Sequence, residues 1–301
     1  MIIRVLGSAA GGGYPQWNCA CPNCERARSG DRDVRARRSD SLAVSPDGQR
    51  WALLNASPDV CLQTEAYGPL RPGPSLRGSP IQAVLLTDAE LDHTTGLLQL
   101  RQSTSLDIYA PPPVLLALTD VFPLRRIVEP YADFRWREAS PEESFPLFGG
   151  ELSVCPFILG DKPPRYAAGR SQEREAWVVG YRLTDRTTGG VAVYAPGIEM
   201  WSRALERRLE GADCLFLDGT FWRGDELRTL GVSELDAADM GHLPVAGPNG
   251  SAARLVRMPA RRKIYIHVNN TNPMLDERSP ERRSLTELGI EVAVDGMEME
   301  V

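Results

Sequence analysis

The segment Thr87-Asp88-Ala89-Glu90-Leu91-Asp92-His93 limits what this chain can fold into more than any other. It follows an apolar, β-like stretch at residues 81–86, and four acid or imidazole side chains (Asp88, Glu90, Asp92, His93) fall within six residues. A strand that ends in such a run aims oxygen and nitrogen ligands into one pocket. The spacing predicts a metal-directed site at a strand end.

Apolar runs like the one before this segment recur at 2–6, 51–54, 83–86, 106–109, 152–157, 176–183, 190–194, 214–217 and 263–267. Most are short and many are rich in Val, Ile, Tyr or Phe, which predicts strands. Helices are expected over 94–102, 113–121, 200–209, 252–258 and 280–288. A strand-dense first half followed by interspersed helices suits two packed sheets flanked by helices, in a single domain over 1–301. Loops at 68–80 and 160–170 are long enough to rim a pocket.

A chain of 301 residues with 42% hydrophobic content can bury a large α/β core. The net charge of -6 argues against a general nucleic-acid binder. The arginine-rich stretch 26–38 is expected to be a solvated helix face. No apolar stretch reaches the roughly 18 residues of a membrane span. Met1 to Gly7 is too short and too weakly basic for a signal peptide, and reads as a first strand entering a glycine turn.

Of six cysteines, three crowd into Cys19-Ala20-Cys21-Pro22-Asn23-Cys24. Thiolates are soft ligands, and this spacing lets three sulfurs converge on one zinc ion from a single loop. Such a closed site pins a loop and does no chemistry. Cys61, Cys155 and Cys214 have apolar neighbours and are expected in the core. The distribution suits a reducing compartment rather than a disulfide framework, so a cytoplasmic protein is expected.

The chain has three histidines. His93 ends the acidic run beside Asp92, and His267 ends a predicted strand and opens the polar turn Val268-Asn269-Asn270-Thr271-Asn272-Pro273. Both are candidate metal ligands. His242, in the loop Asp239-Met240-Gly241-His242-Leu243-Pro244, is a candidate acid-base or substrate contact, with a structural role equally open. Asp218 closes another apolar run as a ligand, a histidine partner or a turn former.

Taken together, these residues resemble the coenzyme PQQ synthesis protein B family, a branch of the metallo-β-lactamase fold. The matching pieces are Gly7-Ser8-Ala9-Ala10-Gly11-Gly12-Gly13, Trp17-Asn18-Cys19-Ala20-Cys21, Thr87 to Thr94, Met240-Gly241-His242 and His267 to Pro273, so the resemblance covers essentially the whole chain. It implies a four-layer αβ/βα sandwich with the active site at the sheet edges, and a role in making pyrroloquinoline quinone (PQQ) from a peptide-derived Glu-Tyr precursor. Relatives of this fold close a similar cysteine knot with a histidine three residues after the last active-site histidine. Asn270 holds that position here and is the expected fourth zinc ligand.

Within the resemblance, the departures decide the chemistry. Asp88 and Glu90 replace the first two histidines of the H-x-H-x-D-H motif. The later loop near Leu159-Gly160-Asp161-Lys162 has no histidine, and Tyr194-Ala195-Pro196-Gly197 has no bridging aspartate. Asp92, His93 and His267 survive, the two-histidine, one-carboxylate set of non-haem Fe(II) oxygenases. Asp88, Glu90 and Asp218 can complete or tune it. The first expectation is an Fe(II)- and O2-dependent hydroxylase acting on the tyrosine ring. The second is a carrier for PQQ or its precursor without a catalytic metal, serving transport. Zinc hydrolysis is the weakest, because its histidines are missing. A homodimer stays open, since no partner-binding stripe stands out.

Overall fold

In the computed structural model, which describes residues 1–74, 76–102, 105–170 and 175–301, every predicted strand forms. In chain order the strands are β1 (Ile2–Gly7), β2 (Ser41–Ser45), β3 (Trp51–Leu54), β4 (Ile81–Leu85), β5 (Ser105–Ala110), β6 (Asp133–Glu138), β7 (Phe145–Leu147), β8 (Leu152–Gly160), β9 (Val178–Asp185), β10 (Val191–Ala195), β11 (Cys214–Asp218), β12 (Arg262–Ile266), β13 (Glu291–Val292) and β14 (Glu298–Glu300). They make two seven-stranded sheets, ordered β14-β1-β2-β3-β4-β5-β6 and β13-β12-β11-β10-β9-β8-β7.

The inner faces meet in one apolar layer, where Val5, Leu42, Leu54 and Leu85 face Tyr181, Leu183, Phe216 and Ile264. On the outer face of the first sheet, Leu53, Val84 and Ile108 pack under Val60, Leu97, Val114 and Leu124. On that of the second, Val193, Leu215 and Leu217 pack under Leu205, Leu209, Leu255 and Leu285. The result is a four-layer αβ/βα sandwich. Strands covered on both faces are buried along their whole length, as β2, β3, β10 and β11 are; the last three read as apolar runs, whereas β2 opens and closes on serine.

Strands β3 to β6 run parallel, as do β10 to β13, so each set lines up its carboxyl ends. Ala9 bridges to Val268, joining the chain after β1 to the chain after β12 at that edge. The loops that follow β4, β8, β11 and β12 therefore share one rim, where an α/β sheet gathers its ligands.

Several local expectations change. The helix expected over 94–102 is two short turns, Leu91–Thr94 and Leu97–Leu100. Gly96 lies between them, and a Cβ there would sit 2.2 Å from the Ser57 carbonyl oxygen. The turn packs directly on backbone, so the chain bends. The helix over 113–121 begins as Pro112–Leu116 and continues as a π-helical turn, Ala117–Val121. The stretch 26–38 is not a solvated helix face. Its helix, Pro22–Arg28, stops early, Arg37 is buried with its guanidinium on the Ala293 carbonyl, and Arg26 pairs with Asp31 and Asp276. Cys214 is a core residue, but Cys61 is exposed and Cys155 half-buried, because they sit on outward positions of the helix Val60–Glu65 and of β8. The 68–80 loop carries a short 3-10 turn and, leaving out Ser75, which lies outside the described residues, does not reach the cavity; the 160–170 loop does. Among the described residues no helix is long and apolar enough to cross a membrane.

Candidate metal centre and its cavity

β4 delivers Asp88 at its carboxyl end, and the turn Leu91–Thr94 then places Asp92 and His93 side by side. β12 delivers His267 from the other sheet. The ligand atoms of Asp92, His93 and His267 lie within 4.8 Å of one another. Each imidazole is held from behind. His93 Nδ1 lies 2.8 Å from Asp88 Oδ2, and His267 Nδ1 lies 2.8 Å from Thr220 Oγ1. An ionised carboxylate only accepts hydrogen bonds, so His93 Nδ1 carries the proton. Thr220 gives its own proton to Asp218 Oδ1 at 2.7 Å, and so receives one from His267.

In the neutral rings both Nε2 lone pairs are thereby left free. His93 Nε2 is buried without any hydrogen bond. It and His267 Nε2 each stand 3.6 Å from Asp92 Oδ2. That is too long for a hydrogen bond and suits three ligands around one ion. Close approach at Asp92 needs Gly11, whose missing Cβ would lie 3.2 Å from the carboxylate. His267 itself adopts φ 58, a left-handed conformation uncommon for a non-glycine residue.

The electrostatics point the same way. Burial opposes charge on His93, yet Asp88 and Asp92 outweigh it and hold the imidazole up at about 10. Burial would raise Asp92, but His93 and His267 keep it well below the usual carboxylate range. The pocket thus retains a proton where its acids call for positive charge, and a divalent cation supplies that charge. Glu90 borders the cavity with its side chain open to it. Enclosure by the walls pushes its carboxyl to about 7, and Asp88 and Asp92 add to this.

A string of buried polar groups runs behind His93. Tyr194 donates to Asp40 Oδ2 at 2.6 Å and accepts from Asn55 Nδ2 at 3.1 Å. Asn55 Oδ1 accepts from the Thr87 N–H at 2.9 Å, and the Thr87 hydroxyl donates to Asp88 Oδ2 at 2.7 Å. Asp40 is fully buried, its Oδ1 has no partner, and burial pushes its carboxyl up to about 6.

A second group, Asp218, His242 and His267, also gathers within 4.8 Å. Asp218 is already committed: Oδ2 meets His242 Nδ1 at 2.8 Å and accepts from the Ile198 N–H at 2.8 Å, and Oδ1 accepts from Thr220. Of its three sequence readings, the geometry places Asp218 as a histidine partner that also ties its loop. The His242 and His267 rings stack with centroids 5.4 Å apart. Asp88 is committed in the same manner, to His93, Thr87 and the Glu90 N–H.

In the knot, Cys19, Cys21 and Cys24 bring their sulfurs within 4.8 Å. The Asn270 amide caps them, with Nδ2 at 3.1, 3.7 and 3.4 Å. The two ends of an amide are alike in shape, and turned over it offers Oδ1 to the same point. Asn23 clips the loop to the Asn270 and Asn272 carbonyls at 3.2 and 3.0 Å. Burial raises Cys21 to about 11, while hydrogen bonds from Cys21 N and Asn270 carry Cys19 below its usual value despite burial. A soft cation in place of the protons suits three such thiols.

A cavity of about 680 Å³ opens over the site. Lys162, Arg165 and Tyr166 come from the loop after β8, and Tyr166 donates to the Ala89 carbonyl at 2.7 Å. Leu91, Val178, Phe221 and Leu235 give it apolar wall, and His242, His267 and Asn269 line it as well. Thr220 and Asp40 escaped the sequence reading because a single Thr or Asp near a strand end carries no pattern. Lys162 escaped it because only the loop geometry turns it toward the cavity.

The β-lactamase superfamily domain matches residues 50–268. The chain is 45% identical over 302 residues to a coenzyme PQQ synthesis protein B of Methylococcus capsulatus, covering 99% of both. It is 46% identical to that of Cupriavidus taiwanensis, covering 99% of this chain and 98% of the other. The crystal structure of Zn(2+)-bound PqqB from Methylobacterium extorquens superposes with a TM-score of 0.93 at 38% identity over the whole of both chains. A diphosphatase of the PhnP family, with a TM-score of 0.68 at 22% identity, over 100% of this chain and 97% of that one, shares the fold. By full-length likeness to these relatives, the chain belongs to the coenzyme PQQ synthesis protein B family of the β-lactamase superfamily.

Proposed function

We propose that this protein acts in PQQ biosynthesis as a non-haem Fe(II)-dependent oxygenase that hydroxylates the tyrosine ring of a peptide-derived Glu-Tyr precursor. The names of its relatives support the pathway. One observation carries the chemistry: two anchored imidazoles and one carboxylate converge at the base of a cavity, and His93 Nε2 is buried there without a partner. Asp92, His93 and His267 are the residues to hold the iron. Two histidines and one carboxylate leave coordination positions open. Bound Fe(II) would supply O2 activation, in which one oxygen atom enters the ring and the other leaves as water with two electrons and two protons from a reductant.

The remaining groups position. Asp88 and Thr220 hold the two Nδ1 protons and so keep both Nε2 atoms directed at the ion. His242, fixed through Nδ1 by Asp218, lines the cavity and is placed to orient or deprotonate the phenol. Asp88, Glu90 and Asp218 set the charge around the site. Cys19, Cys21, Cys24 and Asn270 hold a structural Zn2+, a reading supported by the converging sulfurs and by the zinc-bound relative. Crowded thiols stay reduced in the cytoplasm, where we place the reaction.

A carrier reading uses the same cavity, whose roughly 680 Å³ suits a quinone of PQQ size whichever metal lies beneath it. Anaerobic Fe(II) loading followed by O2 and a Glu-Tyr dipeptide separates the two. A product heavier by one oxygen atom, lost in Asp92→Ala and His267→Ala, is expected. Tight PQQ binding with no oxygen gain at confirmed iron occupancy would favour the carrier.

A further inference from the structure

Five carboxylates line the cavity: Asp88, Glu90 and Asp92 on the metal side, and Glu199 and Asp239 nearer Lys162, where each already accepts a backbone N–H, from Asp161 and from Asp236. Lys162 and Arg165, from the loop after β8, are its lysine and arginine lining residues. Neither makes a direct ion pair among the described residues: Arg165 has no hydrogen-bond partner there, and the Lys162 ammonium donates to the Asp239 backbone carbonyl rather than to a carboxylate. Lys162 is also held in place. Its stem lies against Gly241, where a Cβ would stand 3.2 Å from Lys162 Cδ, and the left-handed φ of 81 at Gly241 makes that close fit possible beside His242. With one N–H on that carbonyl, the half-buried ammonium keeps two donors for a further partner. Burial pulls Lys162 below the usual lysine value, with Arg165 acting in the same sense and Glu90, Asp239 and Glu199 opposing it.

Leu91, Val178, Phe221 and Leu235 supply apolar surface in the same cavity. A ligand matching all three surfaces carries a carboxylate, an apolar body and an oxygen donor.

We propose that Lys162 and Arg165 form a carboxylate subsite that selects phenolic acids over neutral phenols and aligns the phenol with Asp92, His93 and His267. This deepens the proposed function and rests on it for the identity of the reacting end. The subsite itself is a matter of binding, so its test needs no turnover.

The experiment is isothermal titration of the zinc-loaded protein, which performs no oxygen chemistry, with 3-(4-hydroxyphenyl)propionate and its neutral isostere 3-(4-hydroxyphenyl)propionamide. A charge-assisted contact gives the acid an advantage of about tenfold or more in the unmodified protein. In the Lys162→Met/Arg165→Met double variant that advantage collapses to within about twofold, through the acid alone, while binding of the amide stays the same. Lys162→Arg retains most of it. An unchanged preference in the double variant, equal binding of acid and amide, or no binding of either would each overturn the subsite. Loss of the preference in a protein that shows no oxygen transfer after Fe(II) loading would leave the subsite standing and remove only the hydroxylase reading.

Discussion

Each histidine at the metal centre is set by one residue behind it. Asp88→Asn replaces the acceptor-only carboxylate that fixes the His93 proton on Nδ1 by a neutral amide that can also donate, so metal affinity is expected to fall about 10- to 100-fold with the fold intact, as read by chelator competition. Thr220 serves Asp218, His242 and His267 through one hydroxyl. Thr220→Val leaves those groups short of a buried partner and is expected to cost about 1–3 kcal/mol in denaturant unfolding, with an altered visible spectrum of the Co(II)-loaded protein. An unchanged Co(II) spectrum would remove Thr220 from the positioning role. Asp92 and His93 were legible as the end of an acidic run that follows an apolar strand, and His267 because it ends such a strand at a polar turn. Thr220 is as central but could not be read, since nothing in a lone threonine tells which loop will fold over it.

Most strands were legible, because both sheets are covered on both faces and such strands appear as apolar runs; β2, bounded by serines, and the short β13 and β14 were not among those runs. β6 was missed because it alternates charge with aromatics, as an edge strand does, with Arg135 and Arg137 bridging to Asp107 on β5 at 2.8 and 3.3 Å. β7 was hidden by its central proline, which an edge strand tolerates. The stretch 26–38 misled because its arginines follow no helical face; they reach individual carboxylates and carbonyls. The cysteine knot is the element whose removal is easiest to foresee. Asn270 lies three residues past His267 on one turn, so the knot and the metal centre share a backbone. Cys21→Ser is expected to lose the structural zinc and about 5 °C or more of thermal stability, and chelation of the unmodified protein is expected to reproduce that loss. Normal melting with no bound zinc would argue against the knot as a structural site.

At the scale of the molecule, the polar string from Asp40 to His93 crosses the apolar seam between the sheets. Burial holds Asp40 at about 6, above its unfolded value of 3.8. An acid raised in this way binds a proton on folding, so its cost is absent below about pH 4 and complete above about pH 6. In the metal-free protein, Asp40→Asn is expected to gain on the order of 1–3 kcal/mol at about pH 7.5 and nothing at about pH 4, in urea unfolding at the two values. The same change is expected to weaken metal binding, because the carboxylate acts favourably on both His93 and His267.

Asp92 and His93 ride on one sheet and His267 on the other. An ion bound by all three acts as a rivet through the sandwich, and a rivet can be set only after the plates have met. Metal is therefore expected to leave the refolding rate in stopped-flow mixing untouched and to slow unfolding in proportion to its affinity, giving the loaded protein a longer lifetime without a faster birth.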